Sequence, residues 1–258
     1  MSKVIAVANQ KGGVGKTTTA ISLGSALMKE GKRVLLIDFD PQGSLTICLG
    51  IHDTDALEYT SAALLVDSIN EDTKEPQRYI NEEHSIPFIA GNLMLSSVDV
   101  QLVNVIGREM VLKESLEPFL AMFDYIIIDC MPSLGMLTIN ALTAADSVII
   151  PVQAHFLSAK GLEEFSSTLR KVKKINPTLT IDGILFTMYN KQLNFSKEVV
   201  QAIKDTYGES IRVFETMIPN SVRAVESTAV GKPIIEYCPY NPVAIAYQDF
   251  AKEVLNIG

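Results

Sequence analysis

The stretch NQKGGVGKTTTAISLGSAL, residues 9–27, decides the fold and follows the apolar run VIAVA. Its glycines let successive backbone N–H groups curl around an anion, because glycine tolerates positive φ and carries no Cβ. From Lys16 onward the apolar residues recur at helical spacing until Gly31, so a helix begins where the loop ends. A strand, a glycine-rich loop and a helix in this order predict a phosphate site at the helix N-terminus.

Short, almost continuously apolar runs alternate with longer helical stretches along the rest of the chain. Strands covered on both faces have this character. The alternation predicts an α/β fold with a doubly wound, mostly parallel sheet and helices on both faces. Strands are predicted at 3–9, 33–39, 125–129, 147–152, 181–189 and 211–214, and helices at 16–30, 157–175, 195–207 and 243–256.

Residues 51–85 depart from this alternation. They are richer in Asp, Glu, Asn and Thr and have weak periodicity, which predicts a helix or two with loops inserted after the second strand. No composition shift, repeat or low-complexity tract divides the 258 residues. We therefore predict one domain, 1–258, with a variable helical and loop insertion at about 51–85.

Composition and charge exclude several classes of protein. The net charge is −8, so the surface as a whole repels nucleic acid and anionic lipid, and any such binding needs a local basic patch. The apolar runs fall far short of the roughly 18–20 residues of a membrane span. Three scattered cysteines, Cys48, Cys130 and Cys238, suit reduced thiols and lack disulfide or metal-ligand spacing. These features predict a cytoplasmic protein that does not insert into a membrane.

The glycine-rich loop has residue types suited to nucleotide chemistry. Lys16 is placed to supply charge to the β- and γ-phosphates, and the Thr17 hydroxyl to ligate Mg²⁺. The general pattern G-x-x-x-x-G-K-[ST] requires glycine at position 10, but this chain has Gln10 and a second lysine, Lys11. Residues 11–18, KGGVGKTT, resemble the deviant Walker A loop, KGGxGK[ST], of the ParA/MinD group of P-loop ATPases. The resemblance implies that ATP is bound by Lys11, Gly12, Gly13, Val14, Gly15, Lys16, Thr17 and Thr18.

The resemblance also assigns different tasks to the two lysines. In that group the first lysine reaches across a dimer interface to the phosphates of the partner's nucleotide. Lys16 would then serve its own ATP, and Lys11 that of the neighbour, in a homodimer formed with ATP. The alternative for Lys11 is a solvated surface charge.

Two aspartates end the second predicted strand, in LLIDFDPQGS (35–44). Asp38 and Asp40 point to the same side of a strand end, where open α/β sheets bind ligands. The segment resembles the DxDPQG motif of ParA-type partition ATPases. By that resemblance Asp40 positions or activates the attacking water and Asp38 supports the magnesium shell. The alternative for both is a strand-end turn.

A third aspartate ends the strand in YIIIDCMPSLG (125–135), which resembles a Walker B strand with Asp129 near Mg²⁺. The family usually reads DxPPS, and Met131 replaces the first proline here. The metal set is accordingly Thr17, Asp38, Asp40 and Asp129, and the catalytic set is Lys11, Lys16 and Asp40.

The adenine contacts are carried over from two later segments, LFTMYNK and MIPNSVRAVES. In the family, an Asn or Asp at position 190 and the residues after "IP" flank the adenine. This implies base contacts from Asn190, Pro219 and Asn220, and an amide suits adenine because it offers both a donor and an acceptor. The alternative for Asn190 is a turn residue that closes a strand.

The DPQG motif, the SVRAVES segment and the C-terminal stretch are similar to those of ParA/Soj-type partition ATPases. MinD-type relatives end in a basic amphipathic helix, whereas Lys252 is the only basic residue of this tail. The resemblance implies slow ATP hydrolysis, stimulation by a ParB-type centromere-binding protein, and ATP-dependent, non-specific DNA binding at the nucleoid. Arg223 is the DNA contact by resemblance, and a second candidate is the basic cluster of Arg170, Lys171, Lys173 and Lys174.

Other interpretations stay open at this point. The basic cluster has the alternative of a solvated helix end stabilised by the helix dipole. The protein as a whole has two alternatives, a MinD-like switch that positions a membrane site, and a nucleotide-gated transcriptional or scaffold protein with negligible turnover.

Overall fold

The computed structural model describes residues 2–72, 74–155 and 158–257. Seven strands form one sheet in the order β3-β4-β2-β5-β1-β6-β7, and of the described pairings only β3–β4 is antiparallel. The predicted α/β class with a mostly parallel sheet is confirmed. The strands are β1 (Lys3–Val7), β2 (Val34–Phe39), β3 (Ile80–Asn81), β4 (Phe88–Ile89), β5 (Tyr125–Cys130), β6 (Ser147–Gln153) and β7 (Thr180–Thr187).

Helices cover both faces of the sheet, because the connections from β1 to β2 and from β5 to β6 run in opposite directions along it. Short 3-10 turns occur at Thr54–Ala56, Pro76–Tyr79 and Glu117–Phe119. The four predicted helices are present, although position 157 of one prediction lies outside the described residues. The helices are α1 (Lys16–Lys29), α2 (Ser44–Cys48), α3 (Ser61–Ile69), α4 (Met94–Leu102), α5 (Val111–Leu116), α6 (Met136–Ala144), α7 (Ser158–Val172), α8 (Asn194–Tyr207), α9 (Val222–Ala229), α10 (Ile234–Tyr237) and α11 (Pro242–Leu255).

Strand side chains alternate between two apolar cores, one on each face. Val4 and Ala6 of β1 join the core beneath α3 to α7. Ile5 and Val7 join the core that α1 and α11 cover. Because both faces are buried, nearly every strand residue is apolar, and polar side chains are left to the strand ends.

The C-terminal helix α11 packs on α1. Tyr247 is buried in that contact, and its hydroxyl lies 3.1 Å from the Thr19 hydroxyl. The apolar side of α11 is thus occupied by the body of the protein. Over residues 2–72, 74–155 and 158–257, every helix is too short or too polar to cross a membrane.

The strand predicted at 211–214 is wrong. This segment runs beside β7 but makes a single bridge, between Ile184 and Val213. The next two backbone N–H groups, of Glu215 and Thr216, donate to the Glu253 carboxylate of α11 at 2.9 and 2.8 Å. Those bonds interrupt the pairing with β7, which resumes only where Pro219 lies opposite Tyr189.

Residues 51–85 contain α3, the first two 3-10 turns and β3 in the described part. The predicted helix and loops are therefore present. The two-residue strands β3 and β4 are additional, and β3 returns the segment to the edge of the sheet. The boundaries of a single domain stay a prediction.

Candidate nucleotide site

The register of the three central strands brings the sequence motifs together. Val7 of β1 and Asp38 of β2 both pair with Asp129 of β5, so the three strands end side by side. The glycine-rich loop leaves β1 at this edge. The carboxyl ends of the parallel strands therefore gather the predicted loop and aspartates into one site.

Two glycines give the loop its turn. Gly13 and Gly15 have φ of 72° and 83°, a left-handed conformation that other residues adopt at a cost. Gly15 also precedes the first residue of α1 and accepts from the Thr19 N–H at 2.9 Å. The loop thus delivers the open N–H groups of α1 to the site, which is the arrangement that binds phosphate.

Residues that the sequence analysis did not single out hold the loop in place. The Asn9 side chain donates to the carbonyl of Pro151 at 2.7 Å and accepts from the Lys11 N–H at 3.0 Å. Thr187 at the end of β7 donates to the Val14 carbonyl at 2.8 Å. These bonds tie the loop to β6 and β7, which are remote from it in sequence. Asn9 adjoins the loop, so it was the one of these residues that a local sequence pattern could have indicated.

Lys16 is buried beneath the loop. Its ammonium donates to the Lys11 carbonyl at 3.0 Å. Burial lowers the pKa of Lys16, while the nearby charges of Asp129, Cys130 and Asp40 act in the opposite direction. A lysine held in this way provides a positive charge that is already in position under the loop.

Asp129 has the donor chemistry of a cation site. It is buried, and neither of its carboxylate oxygens has a hydrogen-bond partner of normal geometry. Burial and the neighbouring Asp38 charge raise the pKa of Asp129 well above its ordinary value, and the Thr17 hydroxyl and Lys16 oppose that shift. An unsatisfied buried carboxylate beside a hydroxyl fits Mg²⁺, which prefers oxygen ligands and keeps several waters.

Asp38 has other partners. One oxygen accepts from the backbone N–H and the hydroxyl of Thr46 at 2.8 and 2.7 Å, and the other from the Asp40 N–H at 3.4 Å. Thr46 in turn accepts from the Gly91 N–H at 2.9 Å. Burial raises the pKa of Asp38 to about 6. Asp38 therefore anchors the start of α2, and its predicted support of the magnesium shell stays a prediction.

Asp40 is half-buried and more open. Among the described residues its carboxylate makes one hydrogen bond, accepting from the Gln42 N–H at 2.9 Å. It lies close enough to Lys16 to influence the pKa of that lysine. One carboxylate oxygen is thus available to a water or a ligand. Within the described ranges, no three His, Cys, Asp or Glu side chains converge as a complete metal cage.

Lys11 differs from Lys16. Its side chain is half-buried and leans toward Gly161 of α7. In the part of the chain that the structure describes, its ammonium has no ion pair or hydrogen bond. The neighbouring Gln10 is bonded to Glu164 of α7.

A cavity of about 250 Å³ opens beside Gly15 and Thr18. Met188, in a left-handed conformation with φ of 50°, forms one wall, and Pro219 and Asn220 form another. The remaining walls come from α2, α9 and α11, and the sequence analysis missed them: Cys48, Ala224, Val225, Thr228, Val243 and Tyr247. The mostly apolar cavity is suited to a flat heterocycle joined to phosphates at the loop.

Asn190 lies outside this cavity. It lines a neighbouring open cleft together with Pro219 and Asn220. Its side chain accepts from the Gln192 N–H at 3.0 Å, which is the behaviour of a turn residue. The alternative weighed from the sequence thus describes its contacts here, and its predicted contact with a base stays a prediction.

The basic residues predicted to meet DNA lie on the surface. Arg223, in the first turn of α9, is exposed and forms an ion pair with Glu226 at 2.6 Å. Arg170 and Lys171 lie in the last turn of α7, and Lys173 and Lys174 follow it, all exposed. The structure does not bring these two groups into contact.

A parallel sheet whose first strand runs into a glycine-rich loop, with a buried lysine under the loop and a buried aspartate beside it, defines the class of P-loop nucleotide-binding proteins. A family model described as an AAA domain matches residues 2–181. The sporulation initiation inhibitor protein Soj of Bacillus subtilis is 45% identical over 259 residues, covering 100% of both chains. The chain belongs to the ParA/Soj family of P-loop ATPases, and the resemblance read from its motifs is confirmed.

A second relative and a solved structure are also similar to this chain. The chromosome partitioning protein ParA of Myxococcus xanthus is 41% identical over 240 residues, covering 92% of this chain and 82% of that protein. The structure of cobyrinic acid a,c-diamide synthase from Mycobacterium smegmatis, with bound ATP analog and magnesium, has a TM-score of 0.85 at 37% identity. It covers 99% of this chain and 95% of that one.

Proposed function

We propose that this chain is a Mg-ATP-dependent, dimerising ATPase that segregates chromosome or plasmid DNA. The observation that carries the proposal is the contrast between the two lysines of the loop. Lys16 is buried near Asp129, whereas the ammonium of Lys11 has no partner in the described part of the chain. The relative named chromosome partitioning protein ParA supports partition as the role.

ATP and Mg²⁺ fit the residues present, and a related structure contains an ATP analog with magnesium. The open N–H groups of the loop and Lys16 would bind the phosphates, and Thr17 and Asp129 would hold the cation. When bound, the cation neutralises charge on the phosphates and so eases phosphoryl transfer to water. Asp40, with an oxygen to spare, would orient that water and accept its proton. Asp38 would hold the Asp40 segment through Thr46.

Dimerisation follows from what one chain lacks. Phosphoryl transfer depends on positive charge at the transferring group, and Lys11 offers a charge with no partner in its own described surroundings. A second chain facing the first would receive that charge at its own nucleotide. The dimer would be made by ATP, and hydrolysis would be slow until a ParB-type centromere-binding protein completes the site.

The cavity supplies a direct test of ATP binding. Ala224 lines it from α9, whereas Val222, on the same helix, is exposed and does not. We expect Ala224→Phe to fill the cavity and weaken ATP binding tenfold to a hundredfold. A ligand contributes about 0.3 kcal/mol per atom, or about 3 kcal/mol for a base. Val222→Phe is the matched control, and titration calorimetry of both folded variants with Mg-ATP is the measurement. Unchanged affinity in Ala224→Phe would place the base elsewhere.

The Arg223–Glu226 pair bears on DNA binding. Glu226 would compete with phosphate for the guanidinium, so we expect Glu226→Gln to raise the affinity of the ATP-bound protein for DNA a few-fold. Arg223→Glu should abolish binding while sparing ATP-dependent dimerisation. Affinity should fall steeply with salt, with a log–log slope of about −0.9 per neutralised phosphate. The measurement is filter binding with two unrelated duplexes, with ATP and with ADP, which gives the DNA affinity of both variants and its dependence on salt. A preference for one duplex, or equal binding with ADP, would contradict the proposal.

The alternatives have weaker support. A MinD-like membrane switch needs a free amphipathic helix, but the apolar side of α11 is packed on α1. A scaffold with negligible turnover has no use for an open Asp40 beside a buried Lys16. Association with the nucleoid in the cytoplasm follows from the proposal.

A further inference from the structure

The loop that follows Asp129 is fastened to a helix from a different part of the chain. Asp99, half-buried on α4, accepts a hydrogen bond from the Leu137 N–H at 3.0 Å. Leu137 is the second residue of α6, and Gly135 at the start of that helix provides no side-chain cap. A carboxylate at this place satisfies an open N–H group and complements the helix dipole. Asp99 therefore caps α6 from outside.

The contact between Asp99 and the start of α6 is close. A Cβ on Gly135 would lie 3.2 Å from the second oxygen of Asp99, so the absence of a side chain there lets the carboxylate approach. Ser133 accepts from the Gly135 N–H at 3.2 Å through its hydroxyl, and its carbonyl accepts from the Thr138 hydroxyl at 2.8 Å. Residues 131–135 are thus folded tightly against the beginning of α6.

One residue, Cys130, separates Asp129 from this fastened segment, which begins at Met131. Asp129 itself has no hydrogen bond of normal geometry to hold its side chain. Thr17 and Lys16 lie close to its carboxylate, but its place in the site is set by the backbone on either side, β5 before it and the 131–135 loop after it. Met131, where the family has proline, removes one local constraint on that loop, so the anchor at its far end carries more of the task.

We propose that Asp99 is a positioning residue for ATP hydrolysis, which holds the 131–135 loop, and through it Asp129, by capping α6. This inference rests on the proposed ATPase function. Asp99 is bonded to the start of α6 and not to the phosphate loop, so its loss should leave ATP binding by that loop intact. It should reduce the rate of the chemical step and the response to Mg²⁺.

The test compares Asp99→Ala with Asp99→Asn, whose amide oxygen can still accept from Leu137. Ser97→Ala is the control, since Ser97 is exposed on the same helix and its hydroxyl makes no hydrogen bond in the described part of the chain. Expected for Asp99→Ala are a roughly tenfold lower kcat, equivalent to about 1.4 kcal/mol, an almost unchanged KM for ATP and a higher half-saturating Mg²⁺ concentration. Asp99→Asn should keep most of the wild-type kcat.

A second readout needs no nucleotide. Hydrogen exchange at the Leu137 amide of the apo protein should accelerate in Asp99→Ala and not in Ser97→Ala, because local opening sets the exchange rate. Wild-type kcat in a folded Asp99→Ala overturns the proposal, whatever its melting temperature. If Asp99→Ala does not fold, Gly135→Ala presses on the same contact, and wild-type kcat with wild-type exchange there overturns it too.

Failure of the proposed ATPase function would give a different experimental result. A wild-type protein without ATP hydrolysis would end the ATPase proposal itself. The exchange rate at Leu137 and the Mg²⁺ dependence of ATP binding would still decide whether Asp99 positions the loop.

Discussion

Asp40→Ala should stop ATP hydrolysis while ATP binding and the ATP-dependent dimer persist. The Asp40 carboxylate makes one hydrogen bond among the described residues, to the Gln42 N–H, and lies near Lys16. Among the described residues, its carboxylate makes no hydrogen bond to the phosphate loop. Removing a group that orients and deprotonates the attacking water costs roughly a hundredfold or more in rate. The measurement is phosphate release in the presence of DNA and the centromere-binding partner, with size-exclusion chromatography in ATP for the dimer.

Asp40→Asn separates shape from charge. An asparagine keeps the bond to Gln42 but cannot accept a proton, so it should be nearly as inactive as alanine. Asp53→Ala, in the loop after α2, is the control and should behave as wild type. Full stimulated turnover in Asp40→Ala would move the water-activating role to another residue.

Lys11→Ala is expected to bind ATP as a monomer yet lose both the ATP-dependent dimer and the stimulated rate. A positive charge supplied across an interface to a transferring phosphoryl group contributes roughly a thousandfold or more to the rate. Lys16→Ala should instead weaken ATP binding in the monomer, because Lys16 lies under the loop of its own chain. Lys191→Ala, an exposed lysine on the neighbouring cleft, is the matched control.

Mixing two inactive variants distinguishes action within one chain from action across the dimer. In a mixed dimer of Lys11→Ala and Asp40→Ala, the first subunit keeps Asp40 and receives Lys11 from the second. One complete site results, so part of the stimulated phosphate release should return. If Lys11 serves its own nucleotide, the mixture stays inactive, and the trans role of Lys11 is refuted.

The sequence predicted those parts of the fold that depend on local pattern. The loop at 11–18 and α1 follow from glycine spacing and helical periodicity. The long strands follow from continuous apolar runs. The failure at 211–214 has a non-local cause, the bonds from Glu215 and Thr216 to Glu253. The two-residue strands β3 and β4 are too short to carry any periodic signal.

The candidate site, too, was predictable from the sequence only where it depends on local pattern. Motifs predicted Lys16, Asp40 and Asp129, because Lys16 begins the helix after the glycine-rich loop and the two aspartates lie at the carboxyl ends of β2 and β5. They could not reveal that Asp38 is bonded to Thr46 and, through it, to Gly91, since that network depends on how β2, α2 and the chain after β4 pack. The walls of the cavity from α9 and α11 were missed for the same reason.

The two adjacent strand ends at Asp38 and Asp129 also set a limit on how stable the empty protein can be. Folding raises the pKa of Asp38 from an ordinary value near 3.8 to about 6. This shift destabilises the folded protein wherever Asp38 is ionised. The loss of stability is absent at pH values below 3.8, grows as the pH rises from 3.8 to about 6, and is complete above about 6. Asp129 is subject to the same effect, and Lys16 to the mirror image. At neutral pH the charges in the nucleotide-free protein are therefore unfavourably placed where its ligand would bind. They lower its stability against unfolding and leave the site ready to bind.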